Sequence, residues 1–321
     1  MIRTYLDRDR MALLDIWNTA GVAMGYAPLD VADFDRLFLK HPDFSPEFTF
    51  LLELDGEIQG FVNGCTGDHI PKGSQRGYVT CLLLKAPANT RENARLLLAA
   101  LEERFRQAGR RYSAVTFFNP IRLPWIIPGT PGHQHNNAPG VATDLPLNGW
   151  MQESGYREAT REQAMYRSLE DFSMPQAILD KAEAMAREGY TVAVYNPQCH
   201  QGLEEMLTAL DNPLWCQEIS DAGRQGLHLL VGLSGNTCAG FTGPVYPEKT
   251  GRGYFAGIGV APHYQRHGLG KLLFYRLLQA EQEAGAAYMS LFTGEDNPAR
   301  FLYQEAGFRV ARTFSVLLKE L

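Results

Sequence analysis

A chain of 321 residues has room for two domains, because single domains usually contain about 100 to 200 residues. Hydrophobic residues account for 45% of the chain and charged residues for 21%, which is typical of a globular protein. The formal net charge of −6 argues against nucleic acid as a partner, since nucleic-acid-binding domains usually carry a basic surface.

The sequence shows no targeting or membrane segment. Residues 1–11 lack an apolar signal core, and no apolar run approaches the ~20 residues that span a bilayer. The 5 cysteines form no CxxC pair and are odd in number, so they are predicted to be small apolar side chains rather than ligands or nucleophiles. The predicted location is the cytoplasm, with no membrane partner.

The first half alternates short strands and helices whose hydrophobic residues follow the expected spacing. Asp55-Gly56 separates two apolar runs and is a dipeptide favoured in type I′ turns, which predicts a β-hairpin. The predicted order is a strand at 2–6, helices at 8–19 and 31–39, hairpin strands at 48–54 and 58–63, a strand at 78–85, a helix at 93–108 and a strand at 164–169.

The first half also contains an insertion at about 121–148. Asn119 and Gly155 are separated by 36 positions, whereas the matching Asn297 and Gly307 are separated by 10. The insertion is rich in Pro and Gly, and long irregular loops in compact domains are often functional.

Side chains of types that bind metals occur in the insertion. His133 and His135 would project to one side of an extended loop, and Asp144 follows them. This pattern is more typical of a solvated or hydrogen-bonded loop, so no metal is predicted.

A connector helix at 175–188 leads into the second half, with proline near its first turn and Gly189 after its end. The second half repeats the plan of the first. Its predicted order is a strand at 191–195, a helix at 201–210, a helical or irregular stretch at 213–222, hairpin strands at 228–233 and 238–243, a strand at 254–260, a helix, and a strand at 288–292.

The two halves also match in sequence. Residues 96–109 match 272–285 at an offset of 176 positions, and Gly77-Tyr78 matches Gly253-Tyr254 at the same offset. So many agreements at one offset indicate that the chain contains one fold twice.

Residues 257–273 carry the strongest functional signal. An apolar strand is followed by the loop QRHGLG at 265–270 and then by a helix. A helix N-terminus carries about half a positive charge and N–H groups without intrahelical partners, so it binds anions when the preceding chain approaches closely. Gly268 and Gly270 permit this approach because they lack a Cβ. The sequence therefore predicts a pyrophosphate-binding cradle, with donor side chains on Arg266, His267 and Lys271.

Two motifs together resemble the GNAT acetyltransferase superfamily. The loop 265–270 is similar to its Q/R-x-x-G-x-G/A signature, which holds the pyrophosphate of acetyl-CoA, and residues 297–308 are similar to its N-x-A-x-x-x-Y-x-x-x-G-F segment. The intervening helix and strand have the spacing that this fold requires. In layout the resemblance covers nearly the whole chain, and the tandem arrangement is similar to that of the mycothiol synthases.

The resemblance implies roles for individual residues. Tyr303 aligns with the tyrosine that protonates the CoA thiolate, and Asn297 with the asparagine that contacts the cofactor arm. The strand around Gly257 and Gly259 would bulge and expose its backbone to the pantetheine arm, although a weakened buried strand is an alternative. The implied acetyl-CoA-binding residues are Ile258, Gly259, Val260, Gln265, Arg266, His267, Gly268, Leu269, Gly270, Lys271 and Asn297.

The general base stays open at this level. Some relatives place a glutamate on the signature strand, but residues 254–260 contain no carboxylate or imidazole. The candidates are His228, Glu218, Asp221 and Asp296, and an amine that arrives uncharged would need no base.

The first half lacks both chemical features. Its connection at 86–93 has no glycine, and Glu92 would place a like charge beside a phosphate. Met151 occupies the position of Tyr303, and methionine cannot usefully donate a proton. We therefore expect a degenerate first domain, whose insertion packs near the acceptor pocket of the second. Deleting residues 128–139 should then raise the acceptor KM and leave acetyl-CoA affinity unchanged.

The predicted fold is α/β of the α+β type: two tandem GNAT-like domains, each a mixed, mostly antiparallel twisted sheet flanked by helices. The predicted function is acetyl-CoA-dependent N-acetylation of a small-molecule or peptide amine, by direct transfer in a ternary complex in the C-terminal domain. A non-catalytic acyl-CoA sensor or interaction module is the alternative, another acyl donor is also open, and a monomer is favoured over a homodimer. The predicted domains are 1–172 with the insertion, a connector at 173–189, and a catalytic domain at 190–321.

Overall fold

The computed structural model describes residues 1–116 and 119–321. These residues form two compact units that are not contiguous in sequence. The first unit consists of Met1–Ala164, Phe292–Asn297 and Val310–Leu321, and the second of Met165–Leu291 and Pro298–Arg309.

The end of the chain therefore belongs to the unit in which the chain begins. The predicted domains are contiguous, with the second extending over 190–321, whereas residues Val310–Leu321 are part of the first unit. A linear reading of hydrophobic spacing does not show which sheet a terminal strand joins, because any unpaired strand edge offers the same backbone hydrogen bonds.

The α-helices in the described residues include several of only one or two turns. Two of them, α1 and α3, are extended by π-helical turns at Trp17–Gly21 and Asp35–Leu39. The helices are α1 (Arg10–Ile16), α2 (Val22–Met24), α3 (Val31–Phe34), α4 (Arg91–Gln107), α5 (Pro146–Glu153), α6 (Gln176–Arg187), α7 (Leu203–Ala209), α8 (Pro213–Arg224), α9 (Leu269–Glu283) and α10 (Ala299–Glu305).

The strands range from two to twelve residues. In chain order they are β1 (Ile2–Thr4), β2 (Thr49–Leu54), β3 (Glu57–Cys65), β4 (Arg76–Leu84), β5 (Tyr112–Val115), β6 (Trp125–Ile126), β7 (Gln134–His135), β8 (Val141–Ala142), β9 (Arg157–Ser168), β10 (Tyr190–Val194), β11 (Leu230–Ser234), β12 (Thr237–Thr242), β13 (Arg252–Gly253), β14 (Ile258–Val260), β15 (Tyr288–Gly294) and β16 (Arg309–Glu320).

In the first unit the strand order is β1-β2-β3-β4-β5-β16. β4 and β5 are parallel, and α4 connects them, as a parallel pair requires. The other neighbours are antiparallel, including β5 with β16, where Val115 faces Leu317. Asp55 and Gly56 at the β2–β3 turn have φ angles of 52° and 80°, so the predicted type I′ hairpin is confirmed.

Alternation along the strands gives the first unit a core on each face of its sheet. Leu51 and Leu83 belong to the core that packs against α1 and α3, and their neighbours Leu52 and Leu84 belong to the core that packs against α4. This is the period of two that a strand covered on both faces should show.

The insertion is folded within the first unit. β6 and β7 pair at Trp125↔His135, and β8 pairs with β16 at Phe314↔Ala142. Trp125 is 2% exposed and donates from Nε1 to the carbonyl of Asn137 at 2.8 Å. The expected role of the insertion at the acceptor pocket stays a prediction.

In the second unit β10, β11, β12 and β14 form an antiparallel sheet, and β13 pairs in parallel with β15. α9 connects β14 to β15 and buries Leu273, Phe274, Leu277 and Leu278 in a core shared with β15 and α10. The helix therefore holds its N-terminus at the end of β14.

The predicted elements are observed, with two differences in strands. β9 begins at Arg157 rather than at 164, because its first residues are polar and exposed and so carry no hydrophobic pattern. The predicted strand at 254–260 is present only at its end, as β14, and β13 precedes the interruption. Within the ranges described, no helix has the length and apolarity needed to cross a membrane.

Candidate functional site

The chain between β13 and β14 changes its strand partner. β13 pairs with β15 at Arg252↔Tyr288 and Gly253↔Met289, whereas β14 pairs with β12 from Thr242↔Ile258 to Gly240↔Val260. Residues 254–257 form no strand. The sheet therefore opens after β13, and β14 leads away from β15 toward the predicted cradle.

Internal packing accounts for both glycines of this segment. A Cβ on Gly257 would lie 2.6 Å from Nε1 of Trp215, the indole of which also donates to the Ala256 carbonyl at 3.2 Å. A Cβ on Gly259 would lie 2.6 Å from Leu210. Close backbone approach is thus confirmed at these positions, and the described partners are side chains of this unit.

The cradle itself begins with a turn that needs glycine. Gly268 is the N-cap of α9, with φ 86° and ψ 4°, and no side chain caps the helix. Gln265 fixes the loop by donating from Nε2 to the Val260 carbonyl at 3.0 Å. Since no side chain caps α9 through a hydrogen bond, the N–H groups of its first turn stay available to an anion. Gly270 has ordinary room for a Cβ, whose nearest neighbour would be Val260 at 3.6 Å.

A lysine that the sequence analysis did not single out lies at this turn. Lys181 of α6 is exposed, and its side chain extends so close to Gly268 that a Cβ there would collide with it. Its ammonium group adds a positive charge to the N-terminal end of α9. Only the tertiary structure reveals it, since 87 positions separate Lys181 from Gly268 and the helix α6 pattern marks no residue as functional.

The predicted donors of the loop differ in their contacts. Arg266 is exposed and has a φ of 70°. His267 stacks on Tyr190 of β10, with ring centroids 4.7 Å apart. Lys271 donates to Glu305 of α10, so part of its charge is already compensated.

Tyr303 of α10 lies in an aromatic core. It is 5% exposed, and its ring centroid is 4.9 Å from that of Phe274 and 6.5 Å from that of Phe255. Burial raises the pKa of Tyr303 to about 12, and its hydroxyl forms no hydrogen bond with another described residue. The side chain is therefore a neutral O–H donor over the physiological pH range.

Asn297 precedes α10, but it belongs to the segment Phe292–Asn297 of the first unit. Its N–H donates to the Gly294 carbonyl at 3.0 Å, which forms the turn after β15. Its contact with a cofactor arm stays a prediction.

The geometry just described can be compared with known proteins. Residues 190–308 match the sequence model of the Acetyltransferase (GNAT) family. This part of the chain is therefore similar in sequence to the GNAT acetyltransferases. No curated protein matches the sequence.

Solved GNAT structures share the fold over the whole chain. A GCN5-related N-acetyltransferase from Sphaerobacter thermophilus is 15% identical, with a TM-score of 0.64 over 100% of this chain and 95% of that one. A tandem GNAT protein from the clavulanic acid biosynthesis pathway is 16% identical, with a TM-score of 0.59 over 100% and 98%. These similarities confirm the predicted fold class.

A third similar structure is longer than this chain. The GCN5-related glucosamine N-acetyltransferase region of a fungal multi-domain GH3 β-N-acetylglucosaminidase has a TM-score of 0.69 and 15% identity. The match covers 99% of this chain and 38% of that one, so this chain spans well under half of its length.

The second unit also brings a carboxylate to the opening in its sheet. The Tyr254 hydroxyl donates to Glu218 of α8, and the Tyr254 ring stacks on Tyr246 with centroids 4.6 Å apart. Trp215, one turn earlier on α8, covers Gly257. One face of α8 therefore lies along residues 254–257.

The other base candidates have different surroundings. Asp221 accepts from Arg224 at 2.6 Å, and the His228 side chain is exposed. Asp296 is exposed and belongs to the first unit. Among the four, Glu218 is the candidate that contacts the interrupted strand.

In the first unit the corresponding helix is α4, and side chains of the chain itself cap its N-terminus. Thr90 caps α4 by accepting from the Asn93 N–H at 3.3 Å, and the Asn93 side chain donates to the Ala88 carbonyl at 2.8 Å. Glu92 lies in the first turn. Met151 is buried at 1% exposure.

Two of the insertion's side chains whose types can bind metals contact other residues. His135 packs against Phe292 with ring centroids 4.2 Å apart, and Asp144 accepts two hydrogen bonds from Arg312. Across residues 1–116 and 119–321, no group of three or more His, Cys, Asp or Glu side chains could hold a metal ion.

Proposed function

We propose that the second unit transfers an acetyl group from acetyl-CoA to an amine of a small molecule or peptide, directly and in a ternary complex. The observation that carries this proposal is the start of α9, where Gly268 leaves the helix uncapped and Lys181 adds a positive charge. The GNAT fold of residues 190–308 supports the class of reaction.

Backbone N–H groups and cationic side chains would bind acetyl-CoA, the acetyl donor. The N–H groups at the start of α9, with Lys181 and Arg266, would bind the pyrophosphate, because a helix N-terminus and ammonium or guanidinium groups both stabilise phosphate charge. Ile258, Gly259 and Val260 would pair with the pantetheine arm, and Asn297 would contact it. The remaining predicted contacts are Gln265, His267, Leu269, Gly270 and Lys271. Acetyl-CoA supplies the acetyl group as a reactive thioester.

Tyr303 would protonate the departing thiolate. Its raised pKa of about 12 keeps the proton on the phenol until an anion forms beside it. The same desolvation raises the pKa of a CoA thiol in these apolar surroundings above its ordinary ~8.5. The pKa values of the Tyr303 phenol and the CoA thiol therefore lie closer together.

Glu218 would act as the general base, with Tyr254 as its hydrogen-bonding partner. The Glu218 carboxylate accepts a hydrogen bond from the Tyr254 hydroxyl. A proton can therefore pass between the interrupted strand and α8, and the strand itself needs no charged group. Tyr246, 41% exposed and stacked on Tyr254, would offer the acceptor an aromatic face, which suits the apolar part of an amine.

The decisive experiment is release of free CoA thiol from acetyl-CoA in the presence of a panel of amines. We expect turnover on at least one amine, and we expect Tyr303→Phe to lower kcat by about 100-fold or more, as loss of a general acid does. Acetyl-CoA affinity should be unchanged.

Tyr275→Phe is the matched control. The Tyr275 hydroxyl donates to the Glu305 carbonyl at 3.2 Å, so its removal should affect stability and leave kcat within about twofold. Acetyl-CoA binding without turnover on any amine would instead identify a non-catalytic sensor. Monomeric state and cytoplasmic location stay predictions of the sequence, and another acyl donor stays an alternative.

A further inference from the structure

A carboxyl group is buried in the second unit, on the helix that begins at the proposed pyrophosphate site. Glu281 lies near the C-terminal end of α9 and is 0% exposed. Burial raises the pKa of Glu281 to about 8, because apolar surroundings favour the neutral form of a carboxyl group. Fully buried glutamates are rare, and carboxyl groups with perturbed pKa values concentrate at functional sites.

The first unit shows which side chain suits this position when only packing matters. At the offset of 176 positions that relates the two halves, Phe105 corresponds to Glu281. A Cβ on Gly77 would lie 2.3 Å from the ring of Phe105. A Cβ on the matching Gly253 would lie 2.9 Å from Oε2 of Glu281. The same contact between helix and strand is thus made by an apolar ring in one unit and by a carboxyl group in the other, so packing alone needs no carboxyl group here.

Glu281 accepts a hydrogen bond that an apolar side chain could not accept. The N–H of Tyr246 donates to its carboxyl group at 3.2 Å. Tyr246 begins a hairpin formed by residues 246–254, in which the Tyr254 N–H donates to the Tyr246 carbonyl at 3.0 Å. Nearer the turn, the Glu248 N–H donates to the Arg252 carbonyl at 2.7 Å. Glu281 therefore binds the open end of this hairpin, where the two tyrosines face each other.

The turn of the hairpin is fixed separately. Arg252 is 4% exposed and donates to both carboxylate oxygens of Glu248 at 2.8 Å. Arg252 also donates to the Ser290 carbonyl of β15 at 3.2 Å. Both charged groups of the turn face Glu281, since Arg252 opposes the rise in the pKa of Glu281 and Glu248 adds to it. The hydrogen bond to Glu281 thus adds an anchor at the tyrosine end of the hairpin.

The tyrosine end of the hairpin forms part of the proposed acceptor site. The rings of Tyr246 and Tyr254 stack with 4.6 Å between centroids and 13° between planes. The Tyr254 hydroxyl donates to Glu218, the proposed base. A shift of the Tyr246 backbone would move this stack, and a misplacement of about 1 Å can lower the activity of an enzyme strongly. We therefore expect the alignment of both tyrosines to depend on Glu281.

We propose that Glu281 is a positioning residue of the acceptor site, which holds the hairpin so that Tyr246 and Tyr254 stay stacked beside Glu218. Because it is fully buried, Glu281 acts through the tyrosines and not on the substrate. Its effect on the acceptor rests on the proposed acetyl transfer, whereas its effect on the hairpin can be measured without turnover.

Hydrogen exchange of the full chain, resolved by residue, tests the anchor directly. Glu281→Leu removes the acceptor of the Tyr246 N–H, so this amide should exchange about 10-fold faster or more. Glu281→Gln keeps an acceptor oxygen and should retain the protection. Glu283→Leu is the matched control, because Glu283 is exposed two residues further along α9 and accepts from Gln279 at 3.0 Å. Unchanged exchange of the Tyr246 amide in Glu281→Leu would overturn the proposal.

Steady-state kinetics with an amine that is turned over tests the consequence for the acceptor. Glu281→Leu should raise the acceptor KM about 10-fold, and Glu281→Gln should restore it to within about twofold of the wild type at pH 7. The acetyl-CoA KM should not change in either variant. Gly253→Ala is a second variant in case Glu281→Leu does not fold. Its Cβ would displace the Glu281 carboxyl group, so it should raise the acceptor KM about 3-fold.

A pH profile separates positioning from a purely structural role. Between pH 7 and pH 9 the acceptor KM of the wild type should rise about 3-fold more than that of Glu281→Gln, because the buried carboxyl group ionises and loosens its surroundings. Titration of the amine and of Glu218 affects both proteins equally. Equal rises in KM, or equal losses of acceptor and acetyl-CoA affinity in Glu281→Leu, would overturn the proposal.

Failure of the proposed function has a different signature. If no amine is turned over, the proposed acetyl transfer is wrong and Glu281 has no acceptor to position. The exchange measurement then still decides whether Glu281 anchors the hairpin, since it needs no substrate.

Discussion

Helices α4 and α9 follow corresponding strands of the two units, yet their first turns are satisfied in different ways. At α4, Thr90 has an extended backbone and its hydroxyl accepts from the Asn93 N–H. At α9, Gly268 has a left-handed backbone and no side chain to offer. A helix start either binds its own cap or stays available to a ligand, because the same N–H groups cannot fully serve both.

The charges around the two starts follow the same division. Glu92 lies in the first turn of α4, where a carboxylate is stabilised by the helix dipole and repels a phosphate. Lys181 lies at the first turn of α9, where it attracts one. A capping residue and an acid therefore close the start of α4 to an anion, while the helix and its core stay intact.

The largest expected effect is on acetyl-CoA binding, and it distinguishes Gly268 from Gly285, a glycine that also has a positive φ. Gly268→Ala should weaken acetyl-CoA binding about 100-fold, because a Cβ strains the left-handed turn and displaces the flexible end of Lys181 from it. Gly285, with φ 94° and open space around it, lies after the other end of α9. Gly285→Ala should cost similar stability and leave the acetyl-CoA Kd unchanged by calorimetry. Equal losses of affinity in both variants would show that the start of α9 does not bind acetyl-CoA.

The second prediction compares the glutamates that the two helices bury. Glu102 of α4 pairs with Lys319 at 2.6 Å, whereas Glu281 of α9 accepts from the Tyr246 N–H at 3.2 Å. Burial raises the pKa of Glu281 to about 8, so its contribution to stability is full below about pH 4.5 and is lost as the pH rises toward about 8.

Glu281→Gln should therefore raise the free energy of unfolding at pH 9 by about 2 kcal/mol relative to the wild type, and by little at pH 5. Denaturant unfolding at the two pH values measures this. Glu102→Gln should instead lower stability, because Lys319 loses its charged partner. A Glu281→Gln effect that is independent of pH would show that the carboxyl does not titrate in this range.

The third prediction concerns the cation at α9. Lys181→Ala should weaken acetyl-CoA binding about 10-fold and reduce the dependence of the Kd on salt, because a screened charge interaction is lost. Arg187→Ala changes an exposed cation on the same helix, which pairs with Glu183 at 3.8 Å, and should leave the Kd within about twofold. An unchanged Kd for Lys181→Ala would place the ammonium outside the site.

The smallest effect concerns the cap of α4. Thr90→Ala should lower the free energy of unfolding by about 1 kcal/mol, the usual effect of losing a threonine cap. The acetyl-CoA Kd and kcat should not change, since this helix start serves the fold alone. Altered acetyl-CoA affinity would show that α4 takes part in binding after all.

Local patterns predicted most of the elements and the cradle. The Asp55-Gly56 turn, the helix after Gly268 and the strand at 288–292 follow from turn chemistry and hydrophobic spacing, which depend only on near neighbours. The predicted strand at 254–260 failed in part, because Trp215 packs on Gly257 and the chain changes its strand partner there. No local signal marks a tryptophan about 40 residues away as the cause.

The sequence by itself determined the twofold repeat, the glycine-capped helix start at Gly268, the position of Tyr303 and the absence of both features from the first half. The tertiary structure decided that the Lys181 side chain lies next to Gly268 and that Glu218 accepts a hydrogen bond from Tyr254. It also decided that residues of the insertion line a cavity with Cys81, and that the last strand belongs to the first unit. The physical reason is distance along the chain. Turn and helix preferences act over a few residues, whereas these contacts form only when the packing of whole helices and sheets brings remote side chains together.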